Sequence, residues 1–427
     1  MLSQVVFQDR NLSSLGGLLL FKDLLSASRL DERVGESLPR QRIASGASGL
    51  DKFRALLLGF LSGAECLEDM DRLGSDPMFR EVNGTLVGST SYGDWLRKFS
   101  GFHLQRLNQD LCRLAGEFHI RSPSAERLIL DIDSTGHEQH GEKMEGLASN
   151  YKNEWGLDSL EVFDQKGFLY YLNVREGNAF TAVDAPFVIS EVARHLPQQM
   201  ARQQPLLRAD SGYCNNAVFK ACEENGFGFL MAMRENLYSP LLRRRINWRS
   251  AKGQTLEEEQ AEVGESLYYS KLCEKVFRVI FIRKPRKGER EIFADWHWTY
   301  QAYITTESSS ELSAEDAVEL YRKRGNAENF IRELKNGFDL HHFPCQKLGA
   351  NRAYGLIAAF AYNFMRFVGI AMSPSKPMFC KRIRFLLVNL ACQVVRKARR
   401  TIVIFPRRYE KEVKRCFMNI RLTLGCG

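Results

Sequence analysis

The chain has 427 residues, 44% hydrophobic and 11% aromatic, with a formal net charge of +9. That length suggests about two to three domains, and the composition excludes a disordered chain. The basic balance favours a polyanionic partner, while ten scattered cysteines with no C-x-x-C pair argue against a zinc ribbon or a disulfide framework and fit a reducing, cytosolic compartment.

The first 25 residues mix acids and bases around a short apolar run, unlike a secretory signal. From about residue 10 to 120, "SLGGLLLFKDLLSASRLDERV", "FRALLLGFLSGAECLEDMDRL" and "SYGDWLRKFSGFHLQRLNQDLCRLAGEF" show helical spacing. A helical N-terminal domain over 1–120 is expected, with Arg97, Lys98 and Arg106 on a polar side that serves DNA binding or plain packing equally well.

The period then changes. "AERLILDIDST" reads as a strand whose apolar run ends in Asp131 and Asp133. "LEVFDQKGFLYYLNV" reads as two strands joined at Gln165-Lys166-Gly167, and Asp184 stands where it could cap a helix through Leu196. "QPLLRADSGYCN" is a short strand ending at Asp210, followed by a helix and the strand Phe227 to Arg234. Strand, hairpin, helix, strand, helix, strand is the order of an open mixed α/β sheet flanked by helices, here over 121–234. Residues 235–312 are β-rich, with strands Lys275–Lys284 and His297–Thr306 separated by a basic run and by Trp296 and Trp298.

Residues 313–372 hold two further helices. "YRKRGNAENFIRELKNGFDL", taken as one helix, lines up Tyr321, Arg324, Glu328, Arg332 and Lys335 on a single face. A solvated ion-pair face is one account of that pattern. "YGLIAAFAYNFMRFVGIAM" carries Asn363 and Arg366 near its middle, so a buried core helix is expected and not a membrane span. Residues 373–427 form a basic C-terminal region, expected to be helical.

Asp133 and Asp210 each follow an apolar strand, so their carboxylates converge at the carboxyl edge of the sheet, where open α/β folds place ligands. Side by side they repel, and hard oxygen donors suit Mg²⁺ or Mn²⁺. Glu328 is the candidate third ligand. Aspartate also serves simply as a turn residue after a strand, and Asp131 competes with Asp133 because it points to the same side of the strand.

Tyr321, Arg324, Glu328 and Lys335 reproduce the signature Y-x2-R-x3-E-x6-K without a mismatch, and "DIDST" and "LLRADSGY" resemble two aspartate strands. In these features the chain resembles the DDE transposases of bacterial insertion sequences (DDE domain group 1). The resemblance implies a ribonuclease-H-like core with a β-rich insertion, and a catalytic and metal-binding set of Asp133, Asp210 and Glu328 around two Mg²⁺, with Mn²⁺ a possible substitute. It implies DNA contacts by Tyr321, Arg324, Arg332 and Lys335, with Asn326 a weaker candidate, and a base-accommodating aromatic at Trp298 or Trp296. It further implies metal-dependent cleavage at element ends with strand transfer into target DNA. The partner would be double-stranded DNA, the assembly a homodimer, and the location the bacterial cytoplasm and nucleoid, without a membrane. Two alternatives stay open: a catalytically silent DNA-binding repressor, and a ribonuclease-H-like nuclease that cuts without joining.

Overall fold

The computed structural model describes residues 11–40, 46–123, 126–150, 152–286, 298–398 and 400–424. A two-residue strand β1 (Leu12–Ser13) precedes helices α1 (Leu18–Ala27), α2 (Leu30–Val34), α3 (Gly49–Ser62), α4 (Asp69–Leu73), α5 (Pro77–Asn83), α6 (Ser89–Leu96) and α7 (Gly101–Arg121). Ser48 caps α3 with a reciprocal Asp51 bond, and Asp76 caps α5, whose first residue is proline.

The sheet begins with β2 (Ile129–Glu138), β3 (Ala148–Ser149), β4 (Trp155–Asp164) and β5 (Leu169–Glu176). Helices α8 (Ala185–His195) and α9 (Gln198–Ala201) lead to β6 (Leu206–Ala209), and α10 (Asn216–Glu224) leads to β7 (Gly228–Ala232). After α11 (Glu235–Leu242) come β8 (Arg249–Ser250), α12 (Gln254–Glu258), β9 (Glu262–Ser270), β10 (Lys275–Pro285) and β11 (Trp298–Thr305). Helices α13 (Ala314–Arg322), α14 (Gly325–Gly337), α15 (Leu348–Met372) and α16 (Cys380–Ile383) follow, then β12 (Cys392–Lys397), β13 (Arg400–Ile404) and α17 (Glu410–Leu424).

Among the described residues, ten strands form one mixed sheet, ordered β3-β4-β2-β6-β7-β11-β10-β9-β8, with β5 on β4. β2, β6 and β7 run parallel, β4 runs antiparallel to β2, and β5 antiparallel to β4 and so in the direction of β2. This is the expected ribonuclease-H-like arrangement, and the β-rich stretch after β7 extends the same sheet through β11. The turn between β4 and β5 is where the sequence placed it, with Gly167 at φ +84°. α13 covers one face over Leu206, Leu230 and Ile280; α10 covers the other, where Phe219 stacks on Phe229 at 4.9 Å.

α15 packs against α3, α7 and β5. Among the described residues it alone has the length and hydropathy to cross a membrane, and 89% of its most apolar window is buried inside the protein. Its polar residues have local partners: the Asn363 amide bonds both backbone groups of Leu169, and Arg366 Nε donates to the Lys166 carbonyl.

Three expectations are corrected. Tyr321 to Leu340 is not one helix. It breaks at Lys323–Arg324, and Arg324 is the N-cap of α14. Asp184 does not cap α8 with its side chain but lies 3.5 Å from Arg175. The basic C-terminal region is not purely helical. β12 and β13 form a hairpin, and β12 pairs with β1, with Leu12 opposite Gln393. The seam is close: Gly16 and Gly17 N–H groups donate to the carbonyls of Leu390 and Val388, and a Cβ at Gly17 would overlap the Leu387 carbonyl.

Candidate active site at the parallel edge of the sheet

The register of β2 against β6 ends with Ile132 opposite Ala209. The next residue on each strand is Asp133 and Asp210, so two parallel neighbours deliver carboxylates to adjacent positions. Asp210 turns back to accept from the Gly212 N–H at 2.7 Å, and Asp133 accepts from the Ser134 N–H at 2.9 Å. Asp133 remains paired with β4 opposite Glu161, so β2 does not end there. Burial pushes the Asp133 carboxyl up to about 6, Arg324 opposes that shift, and the Asp210 charge adds to it.

Asp131 is decided by its neighbour strand. It is 1% exposed and receives both Arg208 Nε, at 2.8 Å, and Arg208 Nη2, at 2.6 Å. Arg208 also donates through Nη1 to the Leu320 carbonyl at the end of α13. Its carboxylate is therefore spent on an internal bidentate pair, and Asp133 is the aspartate that borders open space.

That space is two clefts meeting at Asp133. One, of about 350 Å³, is shared with Glu328, Arg332 and Lys335; the other, of about 580 Å³, with Asp210, Asp158 and Arg234. Glu328 is exposed in the first turn of α14. Among the described residues, no three His, Cys, Asp or Glu side chains are gathered tightly enough to hold a metal ion. In this arrangement Asp133 has a different companion. Arg324 Nη2 stands 2.9 Å from Asp133 Oδ2. The donor set, all carboxylate oxygens with Asp133 common to both clefts, nonetheless has the chemistry that hard divalent cations take.

The Arg324 contact is unusual. The side chain is buried, yet Nε and Nη2 make no hydrogen bond despite the short distance, so their N–H groups do not point along the ion pair. Among the described residues, two buried guanidinium donors are thus left without an acceptor beside the aspartate edge. Lys335 is anchored differently, donating to the Gly136 carbonyl at 2.6 Å and Thr135 Oγ1 at 3.3 Å; burial lowers its pKa. Tyr321 packs on Tyr303 with ring centroids 4.6 Å apart, and burial raises its phenol. Arg332 is exposed and bonds Asn329. Asn326 is exposed at the start of α14 and lines a separate groove.

Trp298 is not brought to the carboxylates. Arg283 lies 4.3 Å from its ring and 4.2 Å from that of Trp248, and Trp298 borders neither cleft at Asp133. Trp296 lies outside the described residues.

Beyond the predicted set, Arg234 follows β7 and donates to the carbonyls of Ser211 and Gly212, framing Asp210. The strand-end rule that found Asp210 would have found it too. Further out on β2, His137 joins β2, β4 and the segment after α14: Nδ1 is 2.7 Å from the Leu340 carbonyl, Nε2 is 2.5 Å from Ser159 Oγ, and Ser159 Oγ is 2.5 Å from Glu161. Burial drives His137 down to about 3, so its ring is neutral at pH 7, and burial raises the Glu161 carboxyl. Nδ1–H then donates to Leu340. These positions carry no sequence signal, because only the register makes them neighbours.

A family model described as "Transposase DDE domain group 1" matches residues 3–423. The chain belongs to this DDE transposase family. Comparison with curated proteins gives no match. Seven chains among solved structures match. One is the cryo-EM structure of the piggyBac transposase synaptic complex with hairpin DNA, with 12% sequence identity and a TM-score of 0.44, covering 87% of this chain and 79% of that one. The family match spans the helical N-terminal part, the whole sheet and the C-terminal hairpin of this transposase.

Proposed function

We propose that this transposase cleaves DNA at the ends of its own element and joins the freed ends to target DNA, with Asp133, Asp210 and Glu328 as the catalytic carboxylates. The observation that carries this reading is the parallel register that sets Asp133 beside Asp210 at the mouth of two clefts, one of them shared with Glu328. Divalent cations held by these three residues, Mg²⁺ or Mn²⁺, would activate the attacking oxygen and stabilise the leaving one.

The protein's own groups do the positioning. Arg324 has two unbonded buried N–H donors next to Asp133, the fork geometry that a phosphate accepts. Moving from Asp133 to a DNA phosphate would satisfy those donors and release the carboxylate for a cation. Lys335 holds β2 at Thr135 and Gly136, fixing the strand that bears Asp133, and adds positive potential to the Glu328 cleft. Arg332, exposed on the same cleft, meets the DNA backbone. A homodimer acting on two element ends, in the cytoplasm, completes the proposal.

The test uses the DNA that flanks the open reading frame as substrate, with Mg²⁺. The wild type should cleave it and produce joined products. Asp210→Asn should bind it equally but cleave at least about a thousandfold more slowly, the loss expected when metal-assisted charge stabilisation is removed. Binding without cleavage by the wild type would identify a repressor, and cleavage without joined products a plain nuclease; either overturns the proposal.

A further inference from the structure

The far side of α14 carries a second surface that the chemistry above does not use. Three clefts share walls across this helix. The cleft of Asp133 and Glu328 shares Arg332 and Asn336 with a neighbour of about 240 Å³, which includes Phe379 and Lys381. That neighbour shares Asn329 and Phe379 with a groove of about 700 Å³ running past Lys376 and Arg382. Among the described residues, no acidic side chain lines the groove. Lys376, Lys381 and Arg382 are exposed, and among the described residues none has a carboxylate partner. Phe379 and Phe385 are 56% and 68% exposed, and the Arg382 guanidinium lies over Phe385, its carbon 5.6 Å from the ring centre.

Cations without counter-charges favour a polyanion, and exposed rings among them favour bases with a free face. Bases in a duplex are already stacked on one another, so the rings select unpaired ones. We propose that this groove binds a single-stranded stretch of DNA continuing from the scissile phosphate, its phosphates on Lys376, Lys381 and Arg382 and its bases on Phe379 and Phe385. The proposal rests on the DNA-cleaving function above and adds the form of DNA and the route it takes from the site.

The experiment measures binding of the full chain to a fluorescent single-stranded oligonucleotide and to a blunt duplex of the same sequence, across a salt series. Replacing Lys376, Lys381 and Arg382 together by alanine should flatten the salt dependence for the single strand by about two logarithmic units per decade, at ~0.7 per cation. Phe379→Ala should weaken single-strand binding by about five- to a hundredfold, and Phe379→Tyr should restore it. Duplex affinity and melting temperature should stay at the wild-type value. Unchanged single-strand affinity in both variants, or equal losses on the two DNAs, would overturn the groove assignment. So would a Phe379→Ala chain that changes oligomeric state with DNA binding intact, since a second copy would then be the occupant. Wild-type cleavage in the assay above separates these failures from failure of the catalytic reading.

Discussion

One face of β2 holds Asp131, Asp133, Thr135 and His137, and its flanks differ from its centre. At the inner flank, Asp131 and Arg208 form a closed bidentate pair that also binds the end of α13. At the outer flank, His137 is locked between Ser159 and the Leu340 carbonyl. Between them Asp133 faces open clefts, with a guanidinium whose donors are unspent. The same strand thus spends its polar groups on rigidity at both ends and leaves the middle unsatisfied, where a substrate can complete it.

The largest way to break this contrast is Asp131→Ala. It strands a buried Arg208 and should cost about 3–5 kcal/mol of stability by chemical denaturation. The same change at Asp133 should cost less than about 1 kcal/mol, because burial already disfavours its charge and Arg324 has only one imperfect contact to lose. Equal costs would erase the distinction between flank and centre.

Arg324→Ala should act in the opposite sense, leaving the melting temperature nearly unchanged while slowing single-turnover cleavage of pre-bound DNA. Losing a charge-assisted hydrogen bond of about 1.5–3 kcal/mol predicts roughly ten- to more than hundredfold. Wild-type rates would reduce Arg324 to a helix-capping ion pair.

The effect that depends on pH concerns His137. Its folded pKa, about 3, lies below the ordinary histidine value near 6.5. The unfolded chain therefore binds the proton first, so the stabilisation is complete above pH 6.5 and drains away by about 1.4 kcal/mol per pH unit as pH falls towards 3. The difference in stability between wild type and His137→Gln should shrink along that slope. An imidazole NMR signal from His137 that titrates near pH 6.5 would contradict the closed flank.

Much of this was legible in the sequence. The switch from helical to alternating spacing near residue 125 gave the sheet, and the strand-end rule gave Asp210. The difference between Asp131 and Asp133 was not legible, since both point the same way; Arg208 pairs with Asp131 from a neighbouring strand whose register no local pattern encodes. Helical spacing also carried straight through Lys323–Arg324, although the chain breaks there and turns Arg324 towards Asp133. Trp298 looked available because its partner, Arg283, lies on the neighbouring strand β10. In the C-terminal region the density of Lys and Arg hid the short β-branched runs Val394-Val395 and Ile402-Val403-Ile404 of β12 and β13.

The small sheet that joins β1 to β12 also sets a clock. Leu12 emerges from the ribosome early, but its partner Gln393 follows only after almost the whole chain has been made. At about 5–20 residues per second, that wait lasts roughly twenty to eighty seconds. During it, the edge of β1 and the exposed backbone around Gly16 and Gly17 have no partner. Closing so long a loop adds little thermodynamic penalty, because loop entropy grows only logarithmically with length. The delay is kinetic: the β1 seam closes only when β12 arrives, so a product terminated before it would leave this seam open and invite proteolysis there.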